Sequence, residues 1–354
     1  MHSTDKVKEK AYLVGVIFSK KENVEYQLEE LSRLSETAGI EVLGQTYQLV
    51  REVTPATLIG SGKLEEIKLE IEKLGINVVI FDHELTGSQC KNLSDYLEVK
   101  VIDRITLILD IFAMRAISNE GKLQVELAQL KYNLPRLSSI EGTSGRFGSA
   151  GVGMRGPGET KLEMDKRAVR DRINRLENEI EKIKKQREIK TRERARGNKF
   201  RVCLVGYTNA GKSTFLNALA KDSIYADDKL FATLDTTSRS IWLSYEVQII
   251  LTDTVGFISK LPHNLVDAFS ATLEEAKDAD LLLHIIDASN ESYAEQIAVV
   301  EDVLKNIGAK APMIKVYNKC DVSEKTFEDG ISISAKKKIG IDELKAEIIK
   351  VLSN

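Results

Sequence analysis

Four short strings carry residue types whose spacing could do phosphate and base chemistry: GYTNAGKS at 206–213, DTVG at 253–256, NKCD at 318–321 and SAK at 334–336. In the first, the backbone N–H groups of Gly206, Tyr207, Thr208, Asn209, Ala210 and Gly211 can wrap a polyphosphate. A helix opening at Lys212 adds its positive dipole end. Lys212 is placed to bridge β- and γ-phosphates, and Ser213, with Thr214 beside it, can present a hydroxyl to Mg²⁺. Asp253 closes the next apolar run and is the expected acidic partner of the same Mg²⁺. Thr254 and Val255 lead to Gly256, whose N–H can meet a γ-phosphate and loses that contact on hydrolysis.

The last two strings read a base. The Asp321 carboxylate can accept from guanine N1–H and the 2-amino group, a pair that adenine does not present in that arrangement. Asn318 can brace the phosphate loop, the Lys319 stem can cover the ring face, and in Ser334-Ala335-Lys336 the Ala335 N–H can donate to guanine O6. Leaving a buried carboxylate unpaired costs ~1–3 kcal/mol, so GTP is expected over ATP. Between the phosphate loop and DTVG lies FATLDTTS at 231–238. Phe231, Ala232, Thr233, Leu234 and Asp235 are expected near the nucleotide; Thr233 is a second candidate Mg²⁺ ligand, and Thr236 competes for that role.

One residue departs from the usual chemistry. Phe257 follows DTVG, where many regulatory GTPases place a glutamine that orients the attacking water. A phenyl ring cannot do that, so hydrolysis by the isolated protein is expected to be slow. The catalytic candidates are Lys212, for phosphate charge, and Asn209, which can help to hold K⁺ against the phosphates or simply structure the loop.

The elements that must position these residues follow a doubly wound pattern. From Phe200 onward, FRVCLVG, QIILTD, LLLHIID, MIKVYN and GISIS read as buried strands, with helical segments at 212–220, 265–277, 293–306 and 342–352. In an open α/β sheet, ligands bind at the carboxyl ends of the strands, and all four strings sit there. Residues 1–113 repeat the strand–helix alternation and predict a second, mainly parallel α/β domain. IGSGK at 59–63 lacks the spacing of a phosphate loop and reads as a turn opening a helix.

Between the two, residues 114–198 have another texture. Leu123, Leu127, Leu130, Leu134 and Leu137 form one 4-3 stripe; Val169, Ile173, Leu176, Ile180 and Ile183 form another. Each is a coiled-coil seam, and an antiparallel helical hairpin would bury both. Pro135 should kink or loosen the first helix. The tip at 142–158 holds seven glycines with Arg146 and Arg155. Its Gly151, Gly153 and Gly156 match G-x-G-x-x-G, but no strand precedes them, which excludes a dinucleotide fold there. The tip reads as a flexible linker or as a finger that orders against RNA.

Charge bears on the choice. The net charge is −3, yet Lys161 to Arg201 hold 16 Lys+Arg against 8 Asp+Glu, a local +8, leaving −11 elsewhere. Such a segment is a solvated helix face or a polyanion footprint. No apolar run is long enough to span a bilayer, and three scattered cysteines (Cys90, Cys203, Cys320) fit a reducing cytosol.

The chain resembles the HflX GTPases over essentially its whole length. Beyond the nucleotide motifs, the resemblance rests on ATLIGSGKLEEI (56–67), DRITLILDIFAMRA (103–116), GKLQVELAQLKYNLPRL (121–137), GPGETKLE (156–163) and FATLDTTSR (231–239). It implies three parts, namely an N-terminal α/β domain at 1–113, a helical hairpin at 114–198 and a GTPase domain at 199–354. It also implies Mg²⁺ ligands at Ser213 and Thr233, and hence Thr233 over Thr236. The implied partner is the large (50S) ribosomal subunit and its rRNA, met by the hairpin loop, with separation of stalled or idle ribosomes by a cytoplasmic monomer. Two other readings use the same parts: a GTPase for large-subunit assembly, and a nucleotide-gated adaptor whose hairpin binds protein.

Overall fold

The computed structural model describes residues 8–137, 161–195, 200–220, 230–231, 237–260, 270–323 and 325–353. The glycine-rich tip at 142–158 and the candidate residues Ala232, Thr233, Leu234 and Asp235 lie outside them. The chain divides into two compact units, residues 1–114 with 125–178, and residues 115–124 with 179–354.

The first unit holds β1 (Lys10–Ile17), α1 (Val24–Thr37), β2 (Glu41–Leu49), α2 (Ser61–Leu74), β3 (Val78–Phe81), α3 (Gly87–Leu97), β4 (Lys100–Asp103) and α4 (Arg104–Arg115). Its sheet runs β2-β1-β3-β4 with every pair parallel, as the alternation of strand and helix predicts. β1 and β3 are buried along nearly their whole length, which is why they read as unbroken apolar runs. IGSGK does open a helix, because Gly60 caps α2. Buried Arg104 pairs with Asp82 at 2.9 Å and with Glu30, so one guanidinium neutralises two carboxylates inside the unit.

Two further helices, α5 (Asn119–Asn133) and α6 (Lys161–Ala195), carry the two stripes. On α6, Ile173 and Leu176 are buried and Val169, Ile180 and Ile183 half-buried, with exposed charged residues between them. Arg172 grips Glu126 with two nitrogens at 2.7 and 2.8 Å, and Lys131 meets Glu177 at 2.7 Å. Pro135 does more than kink the first helix. α5 stops at Asn133 and Leu134–Arg136 tighten into a 3₁₀ turn, since proline offers no N–H to continue the helix.

The second unit adds β5 (Phe200–Val205), α7 (Lys212–Leu219), β6 (Thr237–Trp242), β7 (Gln248–Asp253), α8 (Ser270–Lys277), β8 (Leu281–Asp287), α9 (Tyr293–Asn306), β9 (Met313–Asn318), β10 (Ile331–Ser332) and α10 (Ile341–Leu352). The strand order is β10-β9-β8-β5-β7-β6, parallel throughout except for β6, which runs antiparallel to β7. β6 was not expected from sequence. Its edge position leaves Ser238, Arg239, Ser240 and Trp242 exposed, so it lacks the apolar run that marks a central strand. Val202, Leu204, Leu251, Leu283 and Ile285 fill the core on one face of the sheet. Cys203, Val205 and Leu282 fill the other.

Candidate nucleotide site

The sheet order brings distant segments together at one edge. Four adjacent strands, β7, β5, β8 and β9, end or pass into their loops at Asp253, Gly206, Asp287 and Asn318. Gly206 sits at φ +151° with its α-carbon against the neighbouring strand; a Cβ there would lie 2.2 Å from the Ile285 carbonyl oxygen. Only glycine lets the loop leave β5 at that angle. Asn209 also takes left-handed backbone, at φ +61°, and the loop then enters α7 through Gly211 at φ +94°. The N–H groups of this loop and of the first turn of α7 are the ones the sequence expects to meet phosphate, although here the Thr208 N–H is taken by Phe257 O at 2.8 Å and the Ala210 N–H by Tyr207 O at 3.3 Å.

Lys212 is buried, and its ammonium donates to the carbonyls of Gly206 at 2.9 Å and Tyr207 at 2.8 Å. Burial pulls its pKa from 10.5 down to about 8, against an opposing pull from Asp253. Triphosphate charge beside Nζ would restore the protonated form, so binding should take up a proton once pH exceeds about 8. The sign follows: the pKa is low in the free protein and higher in the complex. Affinity is therefore undiminished below pH 8 and falls above it, by up to about tenfold per pH unit. Calorimetric titration at pH 9 in buffers of different ionisation enthalpy should show uptake approaching one proton per nucleotide. Zero uptake would refute this account of Lys212.

At the mouth of the loop, Ser213 Oγ donates to Asp253 Oδ2 at 2.7 Å, and Asp253 is almost fully buried. A hydroxyl and a carboxylate facing each other are hard oxygen donors and suit Mg²⁺. Among the described residues no three His, Cys, Asp or Glu side chains cluster, so a cation here would share its coordination with phosphate oxygens. The DTVG segment folds back onto the loop. Phe257 N donates to Gly206 O at 3.1 Å and Thr208 N to Phe257 O at 2.8 Å, and the Tyr207 hydroxyl accepts from Ser259 N at 2.8 Å. The Thr254 hydroxyl donates to Leu204 O at 2.6 Å, and the Phe257 ring is buried in the core beside Cys203 and Leu282. Phe231 is buried in left-handed backbone at φ +54°. Thr214 is half-buried in the first turn of α7, and Val255 is buried.

Asn318 joins the phosphate side to the base side. Its Nδ2 donates to Ala210 O at 2.9 Å and its Oδ1 accepts from Ala335 N at 3.0 Å. The Ser334 hydroxyl holds the Asp321 carboxyl below the usual carboxylate range, helped by Lys337 at 3.3 Å. Ser334 and Ala335 are buried, whereas Lys336 is exposed. Two contributors were missed from sequence. Asp287 holds Lys319 Nζ at 2.6 Å, and its signal was present in LLLHIID, an apolar strand closed by Asp just as QIILTD is. Lys337, the neighbour of Lys336 in a run of three lysines, is the one that reaches Asp321.

A six-stranded, mostly parallel sheet with a glycine-framed phosphate loop, a buried Asp on the adjacent strand and an Asn-Lys-x-Asp loop defines a P-loop GTPase. Comparison with known proteins agrees and narrows the class. Residues 201–319 match the model of a 50S ribosome-binding GTPase, residues 25–113 a GTP-binding GTPase N-terminal region and residues 115–194 a GTP-binding GTPase middle region. GTPase HflX of Caldanaerobacter subterraneus subsp. tengcongensis is 52% identical over 95% of this chain and 79% of its own. Two crystal structures are similar over nearly the full length. SsGBP in complex with GDP has 28% identity and TM-score 0.54, covering 98% of each chain. A GTP-binding protein of the archaeon Sulfolobus solfataricus in complex with GDP has 27% identity and TM-score 0.50, covering 98% of this chain and 99% of its own. The chain belongs to the HflX family, and it is a GTPase.

Proposed function

We propose that this GTPase binds the large ribosomal subunit in its GTP form, promotes separation of stalled or idle ribosomes, and leaves after hydrolysis stimulated by the subunit. The observation that carries the reading is the basic segment Lys161–Arg201, most of which is the helix α6, in an otherwise acidic chain. An excess of eight positive charges directly after a glycine-arginine tip suits a structured polyanion such as rRNA. The description of the matched GTPase model, a 50S ribosome-binding GTPase, supports the same partner.

At the nucleotide, residues 206–214 take the phosphates and Asn318, Lys319, Asp321 and Ser334–Lys336 take guanine. Ser213 and Asp253, with Thr233, would hold Mg²⁺, which neutralises phosphate charge when bound. Asn209 would face K⁺. The buried Phe257 ring supplies no hydrogen bond to water, which fits a slow switch that awaits its partner in the cytoplasm.

Co-sedimentation with purified large subunits tests the reading. Retention with a non-hydrolysable GTP analogue should exceed that with GDP by about tenfold and fall steeply with salt. Replacing residues 142–158 with a short linker should spare hydrolysis by the isolated protein and abolish splitting. Equal retention with both nucleotides, or undiminished splitting by the loop variant, would refute the proposal.

A further inference from the structure

With Phe257 turned into the core, some other group must orient the attacking water, and the surroundings of Gly256 identify a candidate. A Cβ built on Gly256 would fall 2.8 Å from Thr208 Cα, 2.9 Å from Thr208 Cγ2 and 3.1 Å from Lys212 Nζ. Thr208 therefore packs directly against Gly256, beside the same point that the Lys212 ammonium approaches, so it adjoins both groups read as γ-phosphate contacts. Its side chain is 7% exposed, and its Oγ1 is buried with no hydrogen-bond partner among the described residues. A buried hydroxyl without a partner costs roughly 1–3 kcal/mol, so its retention at this position calls for a reason.

The neighbouring hydroxyls have partners already. Ser213 donates to Asp253, Thr254 donates to Leu204 O, and the Tyr207 hydroxyl accepts from Ser259 N. The Thr208 backbone is fixed as well, because its N–H is held by the Phe257 carbonyl at 2.8 Å. The residue that cannot orient water thus clamps the backbone of one that can.

We propose that Thr208 is a catalytic residue of GTP hydrolysis, its hydroxyl oxygen accepting a hydrogen bond from the attacking water. This rests on the reading of residues 206–213 as the phosphate site. The hydroxyl is both donor and acceptor. It can hold the water by accepting a hydrogen bond from it while donating one to a γ-phosphate oxygen. The water oxygen bonds to the γ-phosphorus as the bond to the β–γ bridging oxygen breaks. That electron pair leaves with GDP, the water's proton goes to the released phosphate, and Thr208 is unchanged.

The test is single-turnover GTP hydrolysis by the full chain, with affinity for fluorescent GDP and for a non-hydrolysable GTP analogue measured on the same proteins. Thr208→Val keeps the shape and removes the hydroxyl. It should slow hydrolysis on the order of 10²-fold, leave GDP affinity within about threefold, and weaken the GTP analogue by less than the rate falls. Thr208→Ser should recover most of the rate. A wild-type rate in the Val protein, a Ser protein as slow as Val, or a rate that falls only in step with lost affinity would each overturn the assignment. Lys212→Ala separates this from the site reading: nucleotide affinity undiminished in that variant would overturn the phosphate site itself.

Discussion

Asp321→Asn should weaken GTP binding on the order of 10³-fold and turn the preference toward xanthine nucleotides. The reason begins with the charge of the side chain. The Ser334 hydroxyl and the Lys337 ammonium keep Asp321 ionised, so it presents two acceptor oxygens. Guanine offers two donors, N1–H and the 2-amino group, and hydrogen bonds to a charged acceptor are the strong ones. Asparagine keeps one acceptor and sets an amide donor against the guanine amino group. Two charge-assisted bonds at ~1.5–3 kcal/mol each become one neutral bond and one donor–donor clash. Xanthine carries an oxygen where guanine carries that amino group, so the same amide then finds an acceptor. Affinities for GTP and XTP, measured side by side by nucleotide fluorescence, check this. Unchanged GTP affinity would remove Asp321 from the base site. Lys337→Ala should give a smaller loss of the same kind, because Ser334 still faces the carboxylate.

How much of this site could be read from sequence depends on how local each relation is. GYTNAGKS is legible because the loop and its helix are contiguous, and glycine at 206 and 211 marks backbone that other residues strain to adopt. DTVG and NKCD are legible because each follows an apolar run, and β7 and β9 do end at Asp253 and Asn318. What lies across strands was not legible. Asp287 matters because β8 stands between β5 and β9, which makes its end a neighbour of Lys319; strand order is a tertiary fact. The role of Phe257 was half legible. Sequence shows that it cannot orient water, but only the fold shows its ring in the core and its backbone paired to the phosphate loop. The edge strand β6 was hidden because a strand with one exposed face and mostly polar residues leaves no period to detect. The central strands of the first sheet, β1 and β3, were plain for the opposite reason: buried along nearly their whole length, they are written mostly in Val, Ile, Leu and Phe.

Gly211→Ala should cripple the phosphate and base halves of the site together, although it adds a single methyl group. Gly211 has φ +94°, where any L side chain is strained by ~1–3 kcal/mol. Its Cβ would also fall 2.2 Å from Asn318 Nδ2, well inside contact distance. That amide links the halves, donating to Ala210 O and accepting from Ala335 N, and it is itself only 3% exposed. Pushed aside, it leaves a buried carbonyl and a buried N–H without partners, at ~1–3 kcal/mol each. The expected outcome is a loss of GTP and GDP affinity on the order of 10³-fold or more. The secondary structure should remain, because the sheet core on either side is untouched. Isothermal titration and circular dichroism on the same sample check both parts. A double-mutant cycle decides the mechanism. Asn318→Ala removes the atom that the new methyl strikes, so adding Gly211→Ala to it should cost only the backbone strain, about tenfold in affinity. If the two losses instead add in full, the coupling through Asn318 is wrong, and strain at Gly211 alone governs the loop.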